Sequence, residues 1–136
     1  MKAFNTGKTY FKKKCKSMLI DIIEIHSDIV SSYTVQKFKI VGPSYHLACS
    51  MLLVDGSRLF VKDYLFLDGQ IKYSFHWQDK EGICIIRWDN APHHQDVNTF
   101  PYHKHIGQSE NIEESPPMNL EKVLDIIQSA ITSRSA

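Results

Sequence analysis

Between Arg87 and His105 the chain reads RWDNAPHHQDVNTFPYHKH, and four of its seven histidines, His93, His94, His103 and His105, fall within this stretch. An imidazole titrates near neutrality, so two histidines can take up a proton and return it within one reaction. Arg87 and Lys104 add positive charge that can stabilise an anionic transition state. Asp89 can orient a histidine and fix which ring nitrogen carries the proton. These residue types suit RNA cleavage without a metal. A base removes the 2′-hydroxyl proton, the oxygen attacks the adjacent phosphate, and an acid protonates the leaving 5′-oxygen. On this reading the candidate catalytic residues are Arg87, Asp89, His93, His94, His103, Lys104 and His105. His93 or His94 works with His103 or His105 as acid and base, while Arg87 and Lys104 hold phosphate. Asn90, Trp88 and Tyr102 are candidate substrate contacts, and Trp77, Trp88 or Tyr102 is a candidate to stack a base. This chemistry needs no metal and no cofactor.

The same cluster admits a second chemistry. His93, His103, His105 and Asp89 offer nitrogen and oxygen ligands suited to zinc or another divalent transition metal. Three protein ligands and a water would form a hydrolytic centre. The spacing matches no specific zinc motif. A purely structural use is also open: an Arg87–Asp89 ion pair on one strand face, Asn90 capping the turn before Pro92, and histidines donating to loop carbonyls. His26 lies on an apolar helical stripe and reads as a core-edge residue. His46 and His76 read as structural or surface residues. The chain contains no P-loop, no Gly-rich dinucleotide turn and no Gly-x-Ser-x-Gly elbow.

The elements that position this stretch follow from periodicity. Ile83 to Asp89 is a β-prone run, and on a strand Arg87 and Asp89 point the same way. Asn90-Ala91-Pro92 ends it, because proline lacks an amide proton. If Tyr102 to His105 is extended, His103 and His105 share a face and Lys104 takes the other. Upstream, β-like runs cover Ile29 to Val41, Tyr45 to Val54, Arg58 to Leu67 and Gln70 to Gln78. Asp55-Gly56, Asp68-Gly69 and Asp79 to Gly82 supply the turns. Connections this short demand antiparallel neighbours. A helical stripe from about Ser17 to Ser27 precedes the strands. A second, N-capped by Asn119, carries Leu120, Val123, Leu124, Ile127 and Ile131 on one side. The polar segment from Gly107 to Pro117 holds at most a brief strand at Ile112. The expected fold is α+β: an antiparallel five-stranded meander sheet with an N-terminal and a C-terminal helix packed on it.

Composition bounds the rest. At 136 residues, with a formal net charge of +1, the chain reads as a single domain over 1–136 without a nucleic-acid binder's overall basic signature. Charge is uneven, since residues 1–14 form a basic, flexible arm and 133–136 a frayed tail. Cys15, Cys49 and Cys84 lie in apolar runs and fit no zinc ribbon or disulfide framework. Neither a secretory signal nor a bilayer-spanning stretch is visible, so a cytoplasmic location is expected.

RWDNAPHH, followed some ten residues on by FPYHKH, resembles the TumE-type toxins of prokaryotic toxin–antitoxin operons. The resemblance takes in the Asp55-to-Phe66 turn and strand, the Tyr73-to-Gln78 strand and the C-terminal helix, from roughly Tyr45 to Thr132. Arg87, Asp89, Asn90, Pro92, His93, His94, Pro101, His103, Lys104 and His105 match by motif position. Tyr102 stands where the family often has a histidine. The resemblance implies a small toxin of a type II system, neutralised by an antitoxin protein and acting on RNA or translation. RNA is the expected substrate, a homodimer is compatible with the sequence, and no membrane is involved. The reading of another class is a non-enzymatic interaction protein that binds the antitoxin, or a ribosomal or replication partner, through the polar sheet face and the basic arm.

Overall fold

The computed structural model describes residues 18–108 and 111–135. The basic arm, Cys15 and the Ser17 cap lie outside the described residues. A first helix, α1, covers residues 18–25. Seven strands follow: β1 Val30–Val41, β2 Ser44–Leu53, β3 Arg58–Leu65, β4 Ile71–Gln78, β5 Cys84–Asp89, β6 His103–Ile106 and β7 Ile112–Glu114. The chain closes with α2, Leu120–Ser135.

All seven strands form one antiparallel sheet in the order of the chain, each paired with its sequence neighbour. The α+β class and the two helices stand, and the expectation of five strands is corrected to seven. The two added strands span only four and three residues. A run as short as His-Lys-His-Ile is too polar and too brief to register as an alternating pattern.

The three central hairpins share one device. Asp55, Asp68 and Asp79 each accept, on Oδ1, the backbone N–H two residues on. Each is followed by a glycine in the left-handed region: Gly56, Gly69 and Gly82, at φ 86°, 86° and 83°. A side chain there would meet its own carbonyl, which is why the turns need glycine.

Alternation gives the sheet two unlike faces. One carries Leu47, Cys49, Met51, Leu59, Val61, Phe75, Trp77 and Trp88, which join Leu19 and Ile23 of α1 and the apolar stripe of α2 in a single core. Phe75 is fully buried, so truncating it to alanine would cost about 3–5 kcal/mol. Asn119 caps α2 by accepting the Lys122 N–H at 2.8 Å. The helix runs on through Ser135, past the point where the sequence suggested fraying. Arg134 in its last turn lies 5.9 Å over the Trp77 ring and 3.8 Å from Asp55.

The opposite face packs neither α1 nor α2. Cross-strand pairing lays one row across it: Ser50, Phe60, His76, Arg87, His105 and Ile112. A second row holds Lys62, Ser74, Asp89, His103 and Glu114. The candidate chemistry is at the β5–β6 end of this face.

Candidate active site

β5 and β6 pair so that Arg87 faces His105 and Asp89 faces His103. Four side chains named from the sequence are thereby placed on one face of adjacent strands. The loop of residues 90–102 folds back over them. It is held by hydrogen bonds from Asn98 Nδ2 to Glu114, from Thr99 Oγ1 to the Tyr102 carbonyl, and from the Ser115 N–H to Thr99. It contains a cis Phe100–Pro101 peptide bond. The fold-back sets His94 edge-on to both site histidines, with ring centroids 4.9 Å from His103 and 5.6 Å from His105.

Asp89 is the hub. Its Oδ1 lies 2.8 Å from His103 Nε2, and its Oδ2 lies 3.3 Å from His105 Nε2 and 3.4 Å from Arg87 Nε. The two histidine Nε2 atoms are 3.2 Å apart. His103 Nδ1 donates to the Pro101 carbonyl at 2.9 Å. A carbonyl only accepts, so this contact puts a proton on Nδ1 and turns Nε2 toward Asp89 and His105. Ligating nitrogens of His94, His103 and His105 all lie within 4.8 Å of one another.

His103 is buried, whereas His94 and His105 open with Arg87, His76 and Cys84 onto a cleft. Burial, with the Arg87 guanidinium beside it, pushes His105 below the usual histidine range; Asp89 opposes this. His76 is lowered for the same two reasons. Cys84 is raised by burial, with Arg87 opposing.

His76 and Cys84 were missed as site residues by the sequence reading. His76 was legible in part: alternation puts it on the Arg87 face, but a hairpin turning at 79–82 sets it opposite Ile85, and the bulge moves it to Arg87. Cys84 was not. The register shifts between Trp77 and Gln78, where Gln78 pairs with Cys84 and Trp77 with Ile86. The bulge leaves Ile85 without a partner on β4, its carbonyl accepting instead from the Gly107 N–H, and places Cys84 on the Arg87 side, as bulges beside functional sites commonly re-aim a side chain.

Other residues named from the sequence lie elsewhere. His93 lines a separate cleft with Pro92, Asn90, Lys72 and Tyr102. Lys104 pairs with Trp88 and so shares the helix-covered face, away from Arg87. Trp88 and Trp77 are buried in the core, and Tyr102 stacks on Tyr73 with centroids 6.4 Å apart. Asn90 extends the sheet, accepting the Tyr73 N–H and donating to the Ile71 carbonyl. His26, expected at the core edge, is fully buried, with Nδ1 donating to Ile22 O and Nε2 2.7 Å from Asp125.

A seven-stranded sheet with helices on one face and an Asp-centred histidine cluster on the other defines a small α+β protein with one histidine-rich candidate site. The family described as Toxin TumE matches residues 19–134, nearly the whole described chain, and the protein belongs to that toxin family. No curated protein and no solved structure matches the chain. Among the described residues no helix is long and apolar enough to cross a membrane.

Proposed function

We propose that the protein is the toxin of a type II toxin–antitoxin pair, held in check by an antitoxin protein, and that it cuts RNA at the histidine cleft. One observation carries the reading. Asp89, buried with His103, converges on His105, which lines an open cleft together with His94 and Arg87. Clustered titratable groups in a concave site mark it as a candidate for acid–base or metal-assisted chemistry.

Donor type and spacing suit a divalent transition metal at this cluster. Ligands sit about 2.0–2.2 Å from zinc, so neighbouring donors on a tetrahedron stand roughly 3.3–3.6 Å apart, and octahedral neighbours roughly 2.8–3.1 Å. The Nε2 atoms of His103 and His105 stand 3.2 Å apart, beside the tetrahedral range, and Asp89 offers Oδ1 to the first at 2.8 Å and Oδ2 to the second at 3.3 Å. Asp89, His103 and His105 would hold the ion, with His94 closing from the loop. The Pro101 carbonyl fixes the His103 tautomer that leaves Nε2 free to ligate. A bound metal supplies an acidified water and polarises a phosphate oxygen. Arg87, its side chain 41 % exposed, reaches the developing phosphate charge.

A second reading is metal-free cleavage with His94 and His105 as acid and base. Its support is that burial and Arg87 favour the neutral, proton-accepting form of His105. Elemental analysis of protein never exposed to a nickel column separates the two. About one zinc, manganese or iron per chain, with RNA digestion lost in chelator and restored by that metal, supports the first. Digestion unaffected by chelator supports the second. No digestion under either condition removes the ribonuclease reading.

A further inference from the structure

We propose that the helix-free face of the sheet is a platform for single-stranded RNA that leads the strand into the histidine cleft. The proposal rests on the ribonuclease reading of that cleft and adds the form of the substrate and its path.

Charge is the first observation. The chain as a whole is nearly neutral, at +1. Pairing nonetheless brings Lys37, Lys39, Arg58, Lys62, Lys72 and Arg87 to one face: Lys39 through His46 and Tyr64 to Lys72, Lys37 through Ala48 to Lys62, and Arg58 opposite Gln78. The acids on the strands of this face are Asp89 and Glu114. Asp89 is engaged by the site histidines and Glu114 accepts from Asn98. Lys37, Lys39, Arg58, Lys62 and Lys72 are exposed and form no ion pair with the described residues. Five uncompensated cations beside two occupied carboxylates make a surface complementary to a phosphate backbone.

Aromatic rings are the second observation. Along β3 the outward residues read Arg58, Phe60, Lys62, Tyr64, so rings and cations alternate about 6.6–6.8 Å apart. Phe60 is 40 % exposed and Phe66 is 36 % exposed, on a sheet face where an apolar ring gains nothing from the core. Tyr64 lies against His46 at 4.7 Å between centroids, and Phe60 is 6.3 Å from His76. Exposed rings interleaved with cations bind unpaired bases by stacking, which a duplex does not offer. The row Phe60, His76, Arg87, His105 then joins platform to cleft across three strand spacings, about 14 Å.

The test uses the full chain carrying His105→Ala, so that RNA is bound but not cut, and a fluorescent single-stranded RNA oligonucleotide alongside its duplex. The expected result is tighter binding of the single strand. Phe60→Ala with Tyr64→Ala weakens single-strand binding at least about 10-fold and leaves duplex binding within about twofold. Lys62→Glu with Lys72→Glu weakens both and flattens the salt dependence. All four residues are on the solvent side of the sheet, and an unchanged melting temperature confirms folding. Single-strand binding unaffected by either pair overturns the platform, even if the wild type still cuts RNA. Loss of antitoxin binding with RNA binding intact also overturns it and makes the face a protein interface. Binding lost in both pairs, in a wild type that cuts no RNA, upholds the platform and removes only the cleavage reading.

Discussion

Asp89 Oδ1 stands 2.8 Å from His103 Nε2, while the other nitrogen of that ring is committed to the Pro101 carbonyl. Strand and loop thus aim one imidazole from opposite sides. Asp89→Asn keeps the shape but replaces a carboxylate oxygen with an amide. Its expected effect is a loss of at least about 10-fold in metal affinity and in RNA cleavage, with an unchanged circular dichroism spectrum. Titration of metal-free protein with zinc, followed calorimetrically, measures the first. Wild-type affinity in the variant would remove Asp89 from the ligand set.

The two cations named from the sequence should behave differently. Arg87 is on the cleft and Lys104 on the face that packs the helices. Arg87→Ala is expected to lower the cleavage rate by about 10²–10³, and Lys104→Ala by less than about twofold. Parallel rate measurements decide, and equal losses would contradict the strand alternation.

Neighbouring histidines divide in the same way. His94 packs on His103 and His105, whereas His93 opens onto another cleft. His94→Ala should abolish growth inhibition in cells lacking antitoxin, while His93→Ala stays toxic at equal expression. A toxic His94→Ala would take the loop out of the site.

Asp63 provides a pH-dependent check on stability. Burial holds its carboxyl above the usual carboxylate range, opposed by the Tyr45 hydroxyl, which donates to it at 3.2 Å. A carboxyl raised in the native state favours folding at acid pH. That contribution is lost as pH rises from the unfolded value, near 3.8, through the higher folded one. Asp63→Asn removes the buried charge, so it should exceed wild-type stability at pH 7, and the gap should close toward pH 4. Urea unfolding at several pH values gives the comparison, and a constant gap would exclude this cause.

His26 is fully buried and depends on Asp125 from the other end of the chain, 2.7 Å from its Nε2. Asp125 is itself 61 % exposed, so in Asp125→Ala water takes its place at Nε2 and the expected cost is the net value of one hydrogen bond, about 0.5–1.5 kcal/mol. A urea midpoint equal to wild type would show that the contact is idle.

What the sequence made legible was what its periods encode. Ile71, Tyr73, Phe75 and Trp77 announced β4, and three Asp–Gly turns announced the hairpins. The Asp89–His103–His105 grouping was visible because alternation on β5 and β6 fixes the shared face. What escaped depended on register and on chain reversal. Choosing His94 over His93 requires the path of the 90–102 loop, and Cys84 requires a bulge that no residue type signals. Trp77, Trp88 and Tyr102 suggested base stacking by type, yet pairing sends the two tryptophans into the core and stacks Tyr102 on Tyr73. On the helix-free face around β3 the exposed rings are Phe60 and Phe66, with Tyr64 half-buried beside them; Tyr33 and Phe100 are exposed elsewhere.

A sheet in which every strand joins its sequence neighbour also has consequences for folding kinetics. Each pairing closes a short loop, so the entropy of bringing strands together is met in small steps. Contact order stays low for a β-rich protein, and folding should be fast for its class. The longest connection inside the sheet is the one between β5 and β6. The costliest closure in the meander is thus the one that brings Asp89 to His103, and a nascent chain can complete its first five strands before that junction exists.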